Sequence, residues 1–352
     1  MPRTPASLPL SGLFGVIKPS GPTSMHVVDQ LKRLICNSRL FVDEEKLKKA
    51  PGKKRTRRDN VKIGQGGTLD PLAEGVLVVG VGKGTKKLNN FLDCAKEYRT
   101  TCLLGCETDT YDSEGARVRT APWRHVTREN VEDTLAQFRG EIQQAPPIFS
   151  ALKMDGMPLY DYARKGIPLP RPIEKRQVTV HSLELVEWKG GDHPYRWPEK
   201  AFSAEQKRAL AQSLASMDPP PATATTAAAP PVADDSDSGV ADREGTVSDK
   251  VEEVPTAFVL RMRVSGGTYV RSIVHDLAHA LGSAGHVVSL TRSRQKDYVL
   301  EPTEEGDRRC VPWEVFEAAL EDAGEKDTDG WTEWEREVLD KLAIVDGGGG
   351  KP

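Results

Sequence analysis

Long hydrophobic runs are missing from this sequence. No apolar stretch approaches the ~18 residues that a membrane-spanning helix needs, so no membrane is expected as a partner. The first twenty residues hold one arginine, Arg3, and no apolar segment of the secretory kind. Cysteine is scarce, with five residues at positions 36, 94, 102, 106 and 310. An odd number without a secretory leader points to reduced thiols inside the cell. Nucleus, cytoplasm and mitochondrion all stay open. Cys102 and Cys106 have no second Cys/His pair at ligand spacing and read as strand or core thiols. Gly80-Val81-Gly82-Lys83-Gly84-Thr85 looks like a phosphate loop, but its lysine precedes glycine rather than Ser or Thr. Neither metal nor nucleotide cofactor is expected.

Apolar residues are also few for a chain of 352, at 38%, which implies that part of it packs no core. The net charge of −3 hides a strong asymmetry. Residues 218–256 hold nine acids against two bases, and 314–341 hold eleven against three. The remainder therefore carries an excess of twelve positive charges. A basic body with acidic appendages suits a polyanionic partner.

The most informative stretch is residues 64–82, GQGGTLDPLAEGVLVVGVG. Gly66 and Gly67 permit backbone angles closed to other residues, and Pro71 biases Asp70 toward an extended conformation. Val76 to Val81 then reads as a buried strand. A single acid, Asp70, is thus held on a rigid turn at a sheet edge. Taken alone, the turn fits an aspartate capping local amides as well as one that performs chemistry.

Gly67 to Leu77, G-T-L-D-P-L-A-x-G-V-L, resembles the signature of the TruB family of tRNA pseudouridine synthases. Other segments resemble the family in the family's order. They are Ile17-Lys18-Pro19-Ser20-Gly21-Pro22-Thr23-Ser24, Lys96-Glu97-Tyr98, Leu104 to Asp112, Pro146 to Lys153, Leu159 to Gly166, and Ser265-Gly266-Gly267-Thr268-Tyr269-Val270-Arg271-Ser272. The resemblance covers roughly 12–36, 61–188 and 257–300. It implies an α+β pseudouridine synthase fold, with a mixed, largely antiparallel central sheet, flanking helices and an active-site cleft across the sheet. The type implied is a eukaryotic, fungal-type, stand-alone member that converts uridine 55 in the T-arm loop of tRNA, without cofactor.

Asp70 then corresponds to the catalytic aspartate, attacking either the base or the sugar. Burial would drive a lone carboxylate toward protonation, and a neighbouring cation would keep it ionised. Arg271 is assigned to that pairing; its plainer reading is a surface arginine at a helix start. Tyr98 corresponds to the tyrosine that stacks on the target base and assists proton removal, against core packing as the alternative. Tyr269, Gly67 and Thr68 are assigned to the same pocket. Lys18 and Pro19 are expected to support the loop, with Lys18 counted on the substrate side. Gln65 stands where many members carry a histidine that helps RNA binding and flipping; it can hydrogen-bond but carries no charge. Residues 146–176, with Lys153, Tyr160, Arg164 and Lys165, have the composition of an RNA grip.

The synthase domain is expected over 10–300, interrupted by a basic insertion at 37–60 and an acidic, low-complexity, disordered insertion at 189–256. Nine Lys/Arg against Asp59 alone between Lys46 and Lys62 fit solvated surface, nuclear import or RNA contact. Helices are expected at 23–36, 127–139, 203–216 and 270–281, a strand at 258–264, and one or two amphipathic helices in the acidic tail 301–352, which are expected to pack on the body rather than bind a partner. The chain is expected to act as a monomer on tRNA, and T-loop-like mRNA sites are further candidate substrates. Two alternatives are a tRNA chaperone without catalysis and a guide-RNA-dependent ribosomal RNA synthase. The tail is too short and too acidic for the RNA-binding domain of the latter.

Overall fold

The computed structural model describes residues 8–48, 61–201, 253–322 and 324–345. Strand β1 (Gly12–Lys18) is buried almost throughout. Helix α1 (Ser24–Ile35) starts at Thr23, whose hydroxyl accepts from His26 N, and buries Val27, Val28, Leu31 and Ile35. That is the face the 3–4 spacing specifies. After α2 (Glu44–Lys48), a short β2 (Ile63–Gln65) precedes β3 (Glu74–Val81). β3 lies antiparallel to β1 and parallel to β12 (Gly285–Gln295), and it is buried over every residue but Glu74. Flanked on both sides, it reads as a continuous apolar run rather than an alternating one.

Helix α3 (Asn89–Leu92) leads into β4 (Lys96–Leu104), and β5 (Cys106–Thr108) pairs with β6 (Arg117–Thr120) outside the main sheet. Helix α4 (Arg128–Thr134) opens on a capping box between Thr127 and Asn130. It tightens into a 3₁₀ turn over Leu135–Phe138, so the helix expected over 127–139 is two pieces. β7 (Gly140–Gln144) follows. A small unit with its own apolar cluster of Met154, Leu159, Tyr162 and Ile173 is built from β8 (Lys153–Met154), β9 (Met157–Pro158) and α5 (Leu159–Lys165). Then come β10 (Arg176–Gly190), β11 (Ala257–Val264) and α6 (Val270–Ala280). The remaining elements are β13 (Tyr298–Val299), β14 (Arg308–Arg309), β15 (Val311–Pro312), α7 (Trp313–Glu321), α8 (Glu333–Lys341) and β16 (Ala343–Ile344).

The main sheet runs β15-β1-β3-β12-β4-β11-β10-β7. Its neighbours are antiparallel except β15·β1 and β3·β12. The architecture is a large mixed sheet, mostly antiparallel, with helices packed on it. Cys102 and Cys106 are buried free thiols.

Two expected boundaries move. β10 continues to Gly190, Trp197 donates to Leu104 O, and Leu104 N donates to Thr256 O. Residues 189–201 and 253–256 therefore belong to the body; the helix expected at 203–216 and the stretch 218–252 lie outside the described residues. The basic insertion begins with buried Leu40, Phe41 and Val42, while 49–60 lies outside the described residues. The tail packs on the body. β15 and β16 both pair with β1, and Phe316, Trp331 and Val338 are buried in the main core. Each such side chain contributes about 1.5–3 kcal/mol, enough to fix the tail to the sheet.

Candidate active site

The loop from Gly66 to Ala73 is held from two sides. On one side, the segment after β1 supplies a row of bonds. Lys18 Nζ donates to Pro71 O at 3.2 Å and Ala73 O at 2.6 Å, Ser20 Oγ to Leu72 O, and Gly21 N to Pro71 O. Ser24 Oγ both donates to Leu69 O and accepts from Leu69 N, each at 2.8 Å. On the other side, β12 supplies Arg292, whose Nε donates to Val76 O and Nη2 to Gly67 O, and Gln295, whose Nε2 donates to Gly66 O. Gly75 has φ +103°, and a Cβ there would lie 2.3 Å from Arg292 O, so only glycine lets β3 cross β12 this closely. The loop is rigid because its carbonyls are satisfied by buried donors.

Asp70 projects from this loop with 36% of its side chain exposed. Arg271, on the first turn of α6 and only 3% exposed, donates from Nε to Asp70 Oδ2 at 2.8 Å. Its Nη1 donates to Thr110 O and its Nη2 to Phe149 O. One guanidinium thus joins the aspartate loop, the turn after β5 and the base of the β8–α5 unit. Asp70 Oδ1 has no partner among the described residues. Arg271 is no surface arginine.

A second carboxylate, Asp112, lies 3.7 Å from Arg271 Nε and accepts from Thr110 Oγ1 and Glu114 N. Burial pushes its carboxyl up to about 6, against the pull of Arg271 in the opposite direction.

Tyr98 stands on β4, buried at the main core, between Met262 of β11 and Arg292 of β12. Tyr269 caps α6, and its backbone is clamped by Gln144, which donates to Tyr269 O and accepts from Tyr269 N. Gln65 donates to Thr68 Oγ1 at 3.2 Å and reaches the exposed Met25 Sδ at 3.9 Å. Gly67, at φ +130°, lies over Gln295, Arg292 and Lys96. Lys153, Tyr160, Arg164 and Lys165 sit together on the β8–α5 unit, Arg164 stacking over Tyr160. They make no described bond to Asp70.

The substrate-side placement of Lys18 is corrected. Its ammonium is buried beneath the loop on the carbonyls of Pro19, Pro71 and Ala73. Burial lowers its pKa to about 8, with Asp70 acting the other way. Reasoning from the sequence missed Arg292, Gln295, Gln144 and the role of Asp112; only Asp112 lay inside a motif already quoted.

Comparison with known proteins gives this sheet and site their class, that of the pseudouridine synthases, which are isomerases. The chain belongs to the TruB family. Residues 53–198 match the family profile described as "TruB family pseudouridylate synthase (N terminal domain)". The chain is 37% identical over 343 residues to "tRNA pseudouridine synthase 4" of Schizosaccharomyces pombe, covering 87% of this chain and 83% of that one. It is 34% identical over 376 residues to the Saccharomyces cerevisiae protein of the same name, covering 96% and 87%. The mouse "Pseudouridylate synthase TRUB1" is 32% identical over 293 residues, covering 83% of this chain and 64% of its own length.

Proposed function

We propose that this chain isomerises uridine to pseudouridine at position 55, in the T-arm loop of tRNA. The observation that carries the reading is Asp70, a partly exposed carboxylate backed by buried Arg271 on the loop with the family signature. The relatives' names supply tRNA as the substrate class, and the basic body suits it.

In the reaction the N1–C1′ bond breaks, the uracil turns, a C5–C1′ bond forms and the C5 proton leaves. N1 takes up a proton in exchange for the one C5 gives to solvent, so substrate and product have one formula and no oxidant or added group is needed. Asp70 acts as the nucleophile, at ribose C1′ or at uracil C6, and is released at the end. Arg271 aims it by occupying Oδ2 only. Tyr98 stacks on the extruded base and assists removal of the C5 proton, with Tyr269 lining the same pocket. Extruding the uridine costs a few kcal/mol. Contacts from Lys153, Tyr160, Arg164 and Lys165 to the RNA offset that cost, with Gln65 and Thr68 at the rim. The enzyme works as a monomer, and messenger RNA segments folded like a T-loop are second substrates.

The test is tritium release from unmodified tRNA carrying [5-³H]uridine, beside the same tRNA with cytidine at position 55. The wild type should release tritium from the first and none attributable to that site from the second. Equal release from both would overturn the site assignment.

A further inference from the structure

Behind the active site, Glu107 of β5 faces two histidines of α6. His279 Nε2 lies 2.9 Å from Glu107 Oε2, and His275 Nε2 lies 3.2 Å from Oε1. Four residues apart, the imidazoles share one face of the helix, their centroids 4.3 Å apart. The three ligand atoms all lie within 4.8 Å of one another. His275 Nδ1 is 2.9 Å from Asp276 Oδ1. A carboxylate behind the imidazole in this way fixes the tautomer and turns the other nitrogen forward as a ligand. That nitrogen, Nε2, is buried and out of line for a hydrogen bond, so it has no such partner. Tyr111 stacks on the ring at 3.9 Å and holds it.

We propose that Glu107, His275 and His279 form a binding site for a divalent transition-metal ion, with Zn²⁺ the best fit to two imidazoles and a carboxylate. Water would fill the fourth position. The competitor is Arg119, whose Nε lies 3.1 Å from Glu107 Oε2 and whose Nη2 lies 2.9 Å from His279 Nε2. Its side chain is 44% exposed and turns to solvent when an ion takes its place. The site takes no part in the isomerisation. His275 lies one helical turn beyond Arg271, and Tyr111 lies between Thr110 and Asp112, both of which contact Arg271. A bound ion therefore ties α6 to β5 directly behind the arginine that holds Asp70.

The test uses the full chain, stripped with a chelator, desalted and titrated with Zn²⁺ against a chromogenic competitor near neutral pH. One ion per chain is expected. His279→Ala and Glu107→Gln should each weaken binding at least tenfold. Asp276→Asn should weaken it by about 10–100-fold, and Arg119→Ala should tighten it. His279 is 43% exposed, so its replacement is expected to fold. Its melting temperature without Zn²⁺ should match the wild type, and only the wild type should gain stability when Zn²⁺ is added. Equal affinity in wild type and His279→Ala, or no ion retained by wild type and Arg119→Ala alike, overturns the proposal.

Discussion

Arg271, almost wholly buried, donates from Nε to Asp70 Oδ2 over 2.8 Å, while Asp70 keeps 36% of its side chain in solvent. The cation is the fixed partner and the anion the presented one. Since the same guanidinium also serves Thr110 O and Phe149 O, it sets the position of three segments together.

Arg271→Lys keeps the charge and loses the planar fork, so no single ammonium can serve the three acceptors in their present geometry. Single-turnover conversion should fall by about 100-fold, the scale that ångström misplacement costs. Stability, read from urea unfolding, should fall by about 1–3 kcal/mol because buried carbonyls lose their donors. Conversion at the wild-type rate would show that the fork does not position Asp70.

Lys18→Met removes the donor from beneath the loop and leaves the carbonyls of Pro19, Pro71 and Ala73 to find others. A loss of about 1–3 kcal/mol is expected. Turnover should drop while tRNA affinity stays near wild type, because the ammonium does not face the substrate. A fall in affinity alone would return Lys18 to the substrate side.

Asp112 makes stability depend on pH. Its folded pKa, about 6, lies above the ordinary 3.8, so folding favours the protonated form. That stabilisation is complete below about pH 4 and is lost as pH rises through about 6. Asp112→Asn cannot ionise there. Between pH 4 and 7 the wild type should lose about 2–3 kcal/mol relative to the variant, measured as the difference in urea unfolding free energy. Parallel curves would mean that Asp112 is not held in this environment.

The β8–α5 unit carries the proposed grip. Alanine at both Arg164 and Lys165 should weaken tRNA binding and flatten its salt dependence by about one logarithmic unit per lost phosphate contact. Conversion at saturating tRNA should stay unchanged. An unaltered salt slope would place the RNA elsewhere.

Much of the local structure is legible in the sequence because it depends on neighbours. Thr23 capping α1, the alternation from Leu260 to Val264 in β11 and the stop at Gly282 after α6 are decided within a few residues. The loop around Asp70 was legible through its glycines and Pro71. What holds the loop was not. Arg292 and Gln295 lie on a strand whose residues read SLTRSRQ, a polar edge by composition, yet both are buried because the loop folds over them. Gln144 looks like any strand-end glutamine until α6 brings Tyr269 against it. The tail was legible only in part. Its apolar spacing indicated helices packed on the body, but the two short strands that pair with β1 have too few residues to show a pattern.

The most direct test of Asp70 as the nucleophile is tritium release with Asp70→Asn, run beside wild type on the same labelled tRNA, with binding measured in parallel. The variant keeps the loop and the size of the side chain. Loss of release with tRNA affinity retained is the result predicted here. Release at near the wild-type rate would contradict the account.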